Sequence, residues 1–416
     1  MKFAFRLLVP LLVTACRPAP APPEAPVAPA DTAPVEPTDP VATLEPVATP
    51  AAEPDDLAWL LTPILAEHGV PGIGAAVIDR NGVKAIGVAG QRRIDRPARL
   101  TALDRFHLGS DTKAMTAYVV GRLVDRGEIN WDDTLAMLLP DTADAMHPDF
   151  RVVTVDQLLS HRAGLPANAD QDAIGLDGST PPHAQRLHVA RHVLAKAPKH
   201  MPGSAFGYSN LGYIVLGAAL QQRTGASWED LIERELFAPL NITTCGFGPV
   251  STDQSPEGNW AHEHDGKRYR PTQSDNPAYL GPAGTVHCSL SDWGRFATAM
   301  FEVQMGDRQS GVDDPTRTLR ASTRQRLGTA VSQDPAYARG WMVSSRFPLG
   351  EPVLTHDGSN TVNYASIVIA PQRGLALLTV CNAGDAAAQR ATVDMMLALM
   401  REYGRPHDPS DPHPLH

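Results

Sequence analysis

Apolar positions in residues 57–68 (LAWLLTPILAEH) recur at helical spacing and stop at Gly69, which predicts a first helix. Two apolar runs, GIGAAVID and VKAIGVAG, then flank Asp79-Arg80-Asn81-Gly82. Asn-Gly between two apolar runs is a strong hairpin signal. Residues 110–126 read as a helix that starts at Ser110 and ends before Gly127. Helical spacing follows at 154–161, 211–224, 227–237 and 290–303. Strand-like runs return at 339–345, 361–370 and 374–381, and a closing helix is expected over 386–403, ending at Gly404. Strands thus come early and late, with helices between them. If both sets share one sheet, the central helices form a second lobe, an α/β (α+β) arrangement. No internal repeat is visible.

The ends of the chain carry a different pattern. Residues 1–16 (MKFAFRLLVPLLVTAC) have Lys2 and Arg6, then an apolar core, then small residues before Cys16. This is the form of a secretory signal peptide, too short to span a bilayer. Val13-Thr14-Ala15-Cys16 resembles a bacterial lipobox, so Cys16 is expected to be lipidated and to anchor the chain. Arg17 rather than Asp follows, which favours an outer over an inner membrane. In the segment 17–54, 12 of 38 residues are Pro. Such a stretch cannot bury a core and favours polyproline-like backbone, reaching on the order of 100 Å at ~3.1 Å per residue. Residues 17–55 are therefore expected to be a linker, 56–405 the folded domain, and the Pro-rich 406–416 a disordered tail. No later apolar run is long enough for a transmembrane helix.

Composition narrows the function. The net charge is −10, with pI ≈ 5.8, which argues against nucleic-acid binding. Beyond Cys16, only Cys245, Cys288 and Cys381 remain. At most one disulfide can form, and Cys245–Cys288 is one pairing. No CxxC pair supports a zinc ribbon or thioredoxin-like site. GxSxG, HExxH and GxxxxGK[ST] are all missing, which removes support for a lipase-type hydrolase, a zincin and a P-loop enzyme. No cofactor or metal is expected.

Ser110-Asp111-Thr112-Lys113 is the only S-x-x-K in a chain with six lysines. Ser at a helix start lies near unpaired backbone N–H groups, where developing negative charge is stabilised. Positions i and i+3 share a helix face, so the Lys113 amine can approach the Ser110 hydroxyl and accept its proton. The bland alternative is an N-cap serine followed by a solvated lysine. Tyr208-Ser209-Asn210 is the only Y-x-N. A tyrosine near a cationic lysine can have a lowered pKa and act as acid or base, and an Asn amide can both donate to and accept from a carbonyl substrate. After Tyr208-Ser209-Asn210, H-x-G occurs at His264-Asp265-Gly266 and at His356-Asp357-Gly358. The first lies in a polar, hairpin-like stretch. The second precedes a late strand and can line a sheet edge facing Ser110, so His356 is preferred.

These three elements, in this order, resemble the serine β-lactamase and penicillin-binding protein family. The likeness is to its class C-like branch of esterases and D-Ala-D-Ala peptidases. It covers roughly residues 57–403 and includes Leu158–Pro166 (LLSHRAGLP), Gly281-Pro282-Ala283-Gly284 and Asn382-Ala383-Gly384. The resemblance implies an antiparallel sheet flanked by N- and C-terminal helices, an all-helical lobe, and an active site between them. It implies that Ser110 is the acylated nucleophile, Lys113 its general base and Tyr208 the proton shuttle. Asn210 would hold substrate, and His356 would replace the lysine of the family's K-T-G. Gly358 would leave room for substrate, and the backbone N–H groups of Ser110 and Ser359 would form the oxyanion hole. Histidine at 356 is a weaker carboxylate trap than lysine, although the neighbouring Asp357 carboxylate could raise its pKa.

The expected function is an exported, lipid-anchored serine hydrolase acting through an acyl-enzyme on small esters or amides. A D-alanyl peptidase or β-lactamase is the second choice, and a non-catalytic cell-wall-binding protein the rival from another class. His262, Glu263 and His264 are expected to be solvated rather than metal-bound, and His188 and His192 to be surface residues of one helix face.

Overall fold

The computed structural model describes residues 53–170, 175, 179–301 and 318–405. The signal-like segment with Cys16, most of the Pro-rich linker and the 406–416 tail lie outside the described residues.

The strands are β1 (Asp55–Asp56), β2 (Gly72–Asp79), β3 (Gly82–Gly90), β4 (Arg105–His107), β5 (Gly246–Phe247), β6 (Ala261–His264), β7 (Tyr269–Thr272), β8 (Val286–Ser289), β9 (Met342–Ser344), β10 (Val353–Ser359), β11 (Tyr364–Ala370) and β12 (Leu375–Cys381). Early and late strands do share one sheet, in the order β1-β3-β2-β12-β11-β10-β9. The join is the antiparallel pair β2–β12, with Val77 opposite Leu377. Only β1 runs parallel to its neighbour, Asp55 lying beside Ala85. The folded unit therefore begins slightly before residue 56.

Both faces of this sheet are covered, which is why its strands read as nearly continuous apolar runs. Ile73, Ala75 and Val77 of β2 and Leu377 of β12 pack on one side with Leu61 of the first helix (Ala58–His68) and with Met395 and Leu399 of the last (Ala386–Tyr403). Ala76, Ile78, Leu378 and Val380 face the other way, into the larger core of the helical lobe. The two-residue side-chain period of a strand thus serves two cores at once. Cutting Leu399 to Ala would cost about 2–5 kcal/mol through lost burial and cavity formation.

The first helix ends where expected. Gly69 takes a left-handed φ of 62° and its N–H closes on Leu65 O. In the hairpin, Asp79 pairs with Gly82, so Arg80 and Asn81 form the turn, and Gly82 sits at φ 114°. The helix expected from Ser110 begins instead at Thr112 and runs to Asp125, because Gly109–Asp111 forms a 3-10 turn. Residues 227–237 split into the helix Trp228–Ile232 and a wider turn, Glu233–Phe237. Helix Asn210–Thr224 is buried from Leu211 to Leu220 and packs within the core of the lobe. Cys245 and Cys288 are joined in a disulfide, and Cys381 is buried and free. Strands β4, β8 and β10 escaped the periodicity reading, because they are short or carry His, Asp and Gly where alternation would need apolar residues. Among the described residues, no helix is long and apolar enough to cross a membrane.

Candidate active site

Gly109 adopts φ 50°, a left-handed conformation in which a side chain would be strained. It turns the chain sharply between β4 and helix Thr112–Asp125, and Ser110 is carried on that turn. Lys113 lies in the first helical turn and is fully buried. Its Nζ donates to Ser110 Oγ at 3.0 Å and to Ala283 O at 2.7 Å. Burial pushes the Lys113 amine down to about 7, against an opposing pull from Asp111. The bland reading of a solvated lysine fails on this burial.

Tyr208 closes one side of the site. Its ring lies 5.0 Å from Lys113 Nζ and is 37% exposed, forming the rim. The hydroxyl end is enclosed at Ser110. Burial raises the phenol to about 12, outweighing the hydrogen bond from Ser110. The expected lowering by Lys113 is therefore corrected: a buried lysine at about 7 supplies too little fixed charge, and Tyr208 is a neutral phenol near neutral pH. Two residues on, Asn210 opens helix Asn210–Thr224, while Ser209 caps it by accepting from Gly212 N at 3.0 Å. Asn210 Nδ2 donates to Asn168 Oδ1 at 2.7 Å, and its buried Oδ1 has no partner among the described residues. That bond uses one of the two Nδ2 hydrogens, and Oδ1 is left as an acceptor.

The third wall is β10. Strand β9 pairs only with Val353–Thr355, so β10 from His356 onward presents a free edge although it is not the terminal strand. Gly358 has a tighter role than leaving room for substrate. A Cβ there would overlap Leu108 O and press on Ser110 N at 2.9 Å. The missing side chain lets β10 touch the Gly109–Asp111 turn, with Gly358 against Ser110 N and Ser359 N against Gly109. His356 is buried, and its Nδ1–H donates to Asp357 O at 2.8 Å. Its Nε2 lies 3.4 Å from the Tyr337 hydroxyl. Burial, with repulsion from Lys113, pushes His356 down to about 3, and only the Asp357 backbone carbonyl opposes this. The expectation that the Asp357 carboxylate raises it is corrected: the two side chains leave opposite faces of the strand.

Ser110, Lys113, Tyr208, Asn210, His356, Gly358 and Ser359 therefore converge from three separate parts of the chain. The family profile described as Beta-lactamase matches residues 57–399. The chain belongs to the beta-lactamase family. Within it, penicillin-binding protein 4 of Amycolatopsis lactamdurans is 27% identical over 346 residues, covering 77% of this chain and 83% of that protein. Among solved structures, EstCE1, described as a hydrolase with promiscuous acyltransferase activity, aligns at TM-score 0.67 and 18% identity, covering 82% of this chain and 97% of that one. D-amino acid amidase from Ochrobactrum anthropi SV3 aligns at TM-score 0.64 and 20% identity, covering 83% of this chain and 99% of its own. The fold is thus the β-lactamase/transpeptidase-like one, with a mainly antiparallel sheet.

Three buried residues of this beta-lactamase-family site carried no separate signal. His161 sits at φ 58°, accepts from Ser209 N through Nδ1 at 3.1 Å, and stacks 4.3 Å from the Tyr208 ring. Tyr337 lies 4.8 Å from the same imidazole and touches His356. Asp111 faces His356 Nδ1 at 3.5 Å, and burial raises its carboxyl well above the usual range. The spacing of His161 from Tyr208, 47 residues, has no local signature. The H-x-G at His264 begins at the exposed end of β6 and leads into the turn before β7. His262 is not solvated but buried, its Nε2 accepting from Ile94 N at 3.0 Å. No group of metal-holding side chains occurs among the described residues.

Proposed function

We propose that this chain is a serine hydrolase that works through an acyl-enzyme on Ser110, acting on small esters or amides whose flanking groups are uncharged. The observation that carries this is the 3.0 Å contact between Ser110 Oγ and a lysine amine held near about 7. A lysine so buried is substantially unprotonated at neutral pH, as a general base must be.

Ser110 Oγ attacks the acyl carbon and its proton passes to Lys113 Nζ. The carbonyl oxygen gains the negative charge and is held by the Ser110 and Ser359 N–H groups, each such donor contributing about 2.7–4 kcal/mol to the transition state. The carbonyl then re-forms and the bond to the leaving group breaks. Tyr208 relays the proton from Lys113 to the departing oxygen or nitrogen, acting as a neutral phenol that gives one proton and takes one. Water repeats the sequence on the acyl-enzyme, releasing the acid and free Ser110. Asn210 Oδ1, buried and without a partner among the described residues, suits a substrate N–H, which favours amides among the candidates.

Specificity follows from His356. A neutral imidazole committed to Asp357 O and Tyr337 gives no fixed cation for a carboxylate. This weighs against D-alanyl peptides and β-lactams as the preferred substrates, since both carry one. The first test is an intact-mass time course of the full chain with benzylpenicillin and with p-nitrophenyl butyrate, beside Ser110→Ala. Ester turnover lost in Ser110→Ala, with penicillin untouched, supports the reading. A persistent penicillin adduct on the wild type alone would move it to a cell-wall peptidase. Cell-wall binding unchanged by Ser110→Ala, with no turnover of any probe, would leave a non-catalytic binding protein.

We further propose that lipidated Cys16 tethers the domain to a bacterial membrane, the outer one where present, so that it works in the periplasm. Incorporation of an alkyne fatty acid that Cys16→Ser abolishes is the expected result.

A further inference from the structure

Behind the nucleophile lies a buried polar group that the chemistry above does not use. Gly109 N–H donates to His107 Nδ1 at 3.0 Å. That bond leaves the proton of a neutral His107 on Nε2, which lies 3.0 Å from Asp275 Oδ1. The two side chains are only 1% and 7% exposed. The same oxygen accepts from Asn276 N at 2.7 Å and from Asn360 Nδ2 at 2.8 Å. Asn360 directly follows Ser359, and its Oδ1 accepts from Asn363 Nδ2 at 3.1 Å. Asn276 Nδ2 in turn donates to Gly284 O at 2.7 Å, next to the Ala283 carbonyl that receives Lys113.

One carboxylate therefore reaches three places: the amide before Ser110, the residue after Ser359, and the segment beside the Lys113 anchor. Burial pushes the Asp275 carboxyl up, but its bonds to His107, Asn360 and Asn276 outweigh this and hold it below the usual range. A buried charge is costly and is tolerated only when well satisfied. Here the contacts to Oδ1 come from the side chains of His107 and Asn360 and from Asn276 N, and each of these residues adjoins or bonds a backbone segment of the site. Donors to a developing oxyanion must be placed to about 0.5 Å, and such precision needs a supporting shell.

We propose that His107, Asp275 and Asn360 form a positioning network that sets the spacing of the Ser110 and Ser359 amides, and so the oxyanion hole. It rests on the reading of Ser110 as the acylated nucleophile. None of the three residues touches the reacting atoms. Their loss should weaken transition-state stabilisation while leaving ground-state binding intact.

The test uses the full chain, p-nitrophenyl butyrate as substrate, and a fluorophosphonate probe to count competent Ser110. Per labelled site, Asp275→Asn should lower kcat on the order of 10–100-fold with KM within about twofold. Asn360→Ala should do the same, and the double variant should be little worse than either, because both cut one network. If Asp275→Asn does not fold, Asn360→Ala carries the same kcat-against-KM readout alone. Wild-type kcat per labelled site in a folded variant, or losses that multiply in the double variant, would overturn the network. A wild-type chain that neither turns over nor takes the probe would overturn instead the reading on which the network rests.

Discussion

Gly109 packs its backbone directly on the Ser359 amide: a Cβ on Gly109 would overlap Ser359 N and the neighbouring Gly358 carbonyl carbon. Two amides 250 residues apart in the chain are thereby held as one unit. Gly109→Ala must either push β10 away or abandon φ 50°, at a cost of about 1–3 kcal/mol. Because the displaced group is one donor of the proposed oxyanion hole, kcat should fall on the order of 10²–10³-fold. Circular dichroism melts beside ester kinetics check this. An alanine variant with unchanged kcat would break the link between this contact and catalysis.

The pH profile should be set by Lys113. Its amine is held down to about 7, so the base form accumulates as pH rises through that value. The expected kcat/KM therefore climbs through about pH 7 and levels off. His356, pushed down to about 3, stays neutral and adds no limb near neutrality. A limb near ~10, where an ordinary lysine titrates, would mean that Lys113 is solvated in the working enzyme.

Tyr208→Phe keeps the ring against His161 and Lys113 but removes the hydroxyl of the proposed proton relay. The expected loss in kcat is on the order of 10²–10⁴-fold. Since the phenol is held up to about 12, the loss should be the same at pH 6 and pH 9. A loss confined to high pH would indicate a tyrosinate base instead.

The Cys245–Cys288 bridge closes 43 residues and anchors β8, which pairs with β4 beside His107. Chain-entropy arithmetic puts its contribution at about 4 kcal/mol. The double variant Cys245→Ala/Cys288→Ala should melt well below the oxidised wild type. Equal melting temperatures with and without the bridge would show that the β4–β8 packing needs no covalent support.

Much was legible locally. The hairpin Gly72–Gly90, the first and last helices, and the helices at 112–125 and 210–224 follow from apolar period, turn residues and caps. The pairs Ser110/Lys113 and Tyr208/Asn210 were legible because each sits within one turn of backbone. Short strands such as β4 and β10 were not, since His, Asp and Gly at a site interrupt the alternation that marks a strand. His107, Asp275 and Asn360 were invisible for a related reason. Each is an ordinary polar residue until the fold places all three around one oxygen.

The sequence by itself determined which groups could react and on which elements they ride, because periodicity and i to i+3 spacing are properties of neighbouring residues. Only the tertiary structure decided their state. The Lys113 amine is held down to about 7 because it is buried against Ala283, 170 residues away. His356 is pushed down to about 3 because β10 buries it beside Lys113. Protonation depends on solvent exclusion and on charges brought from elsewhere in the chain, and neither is written in local spacing.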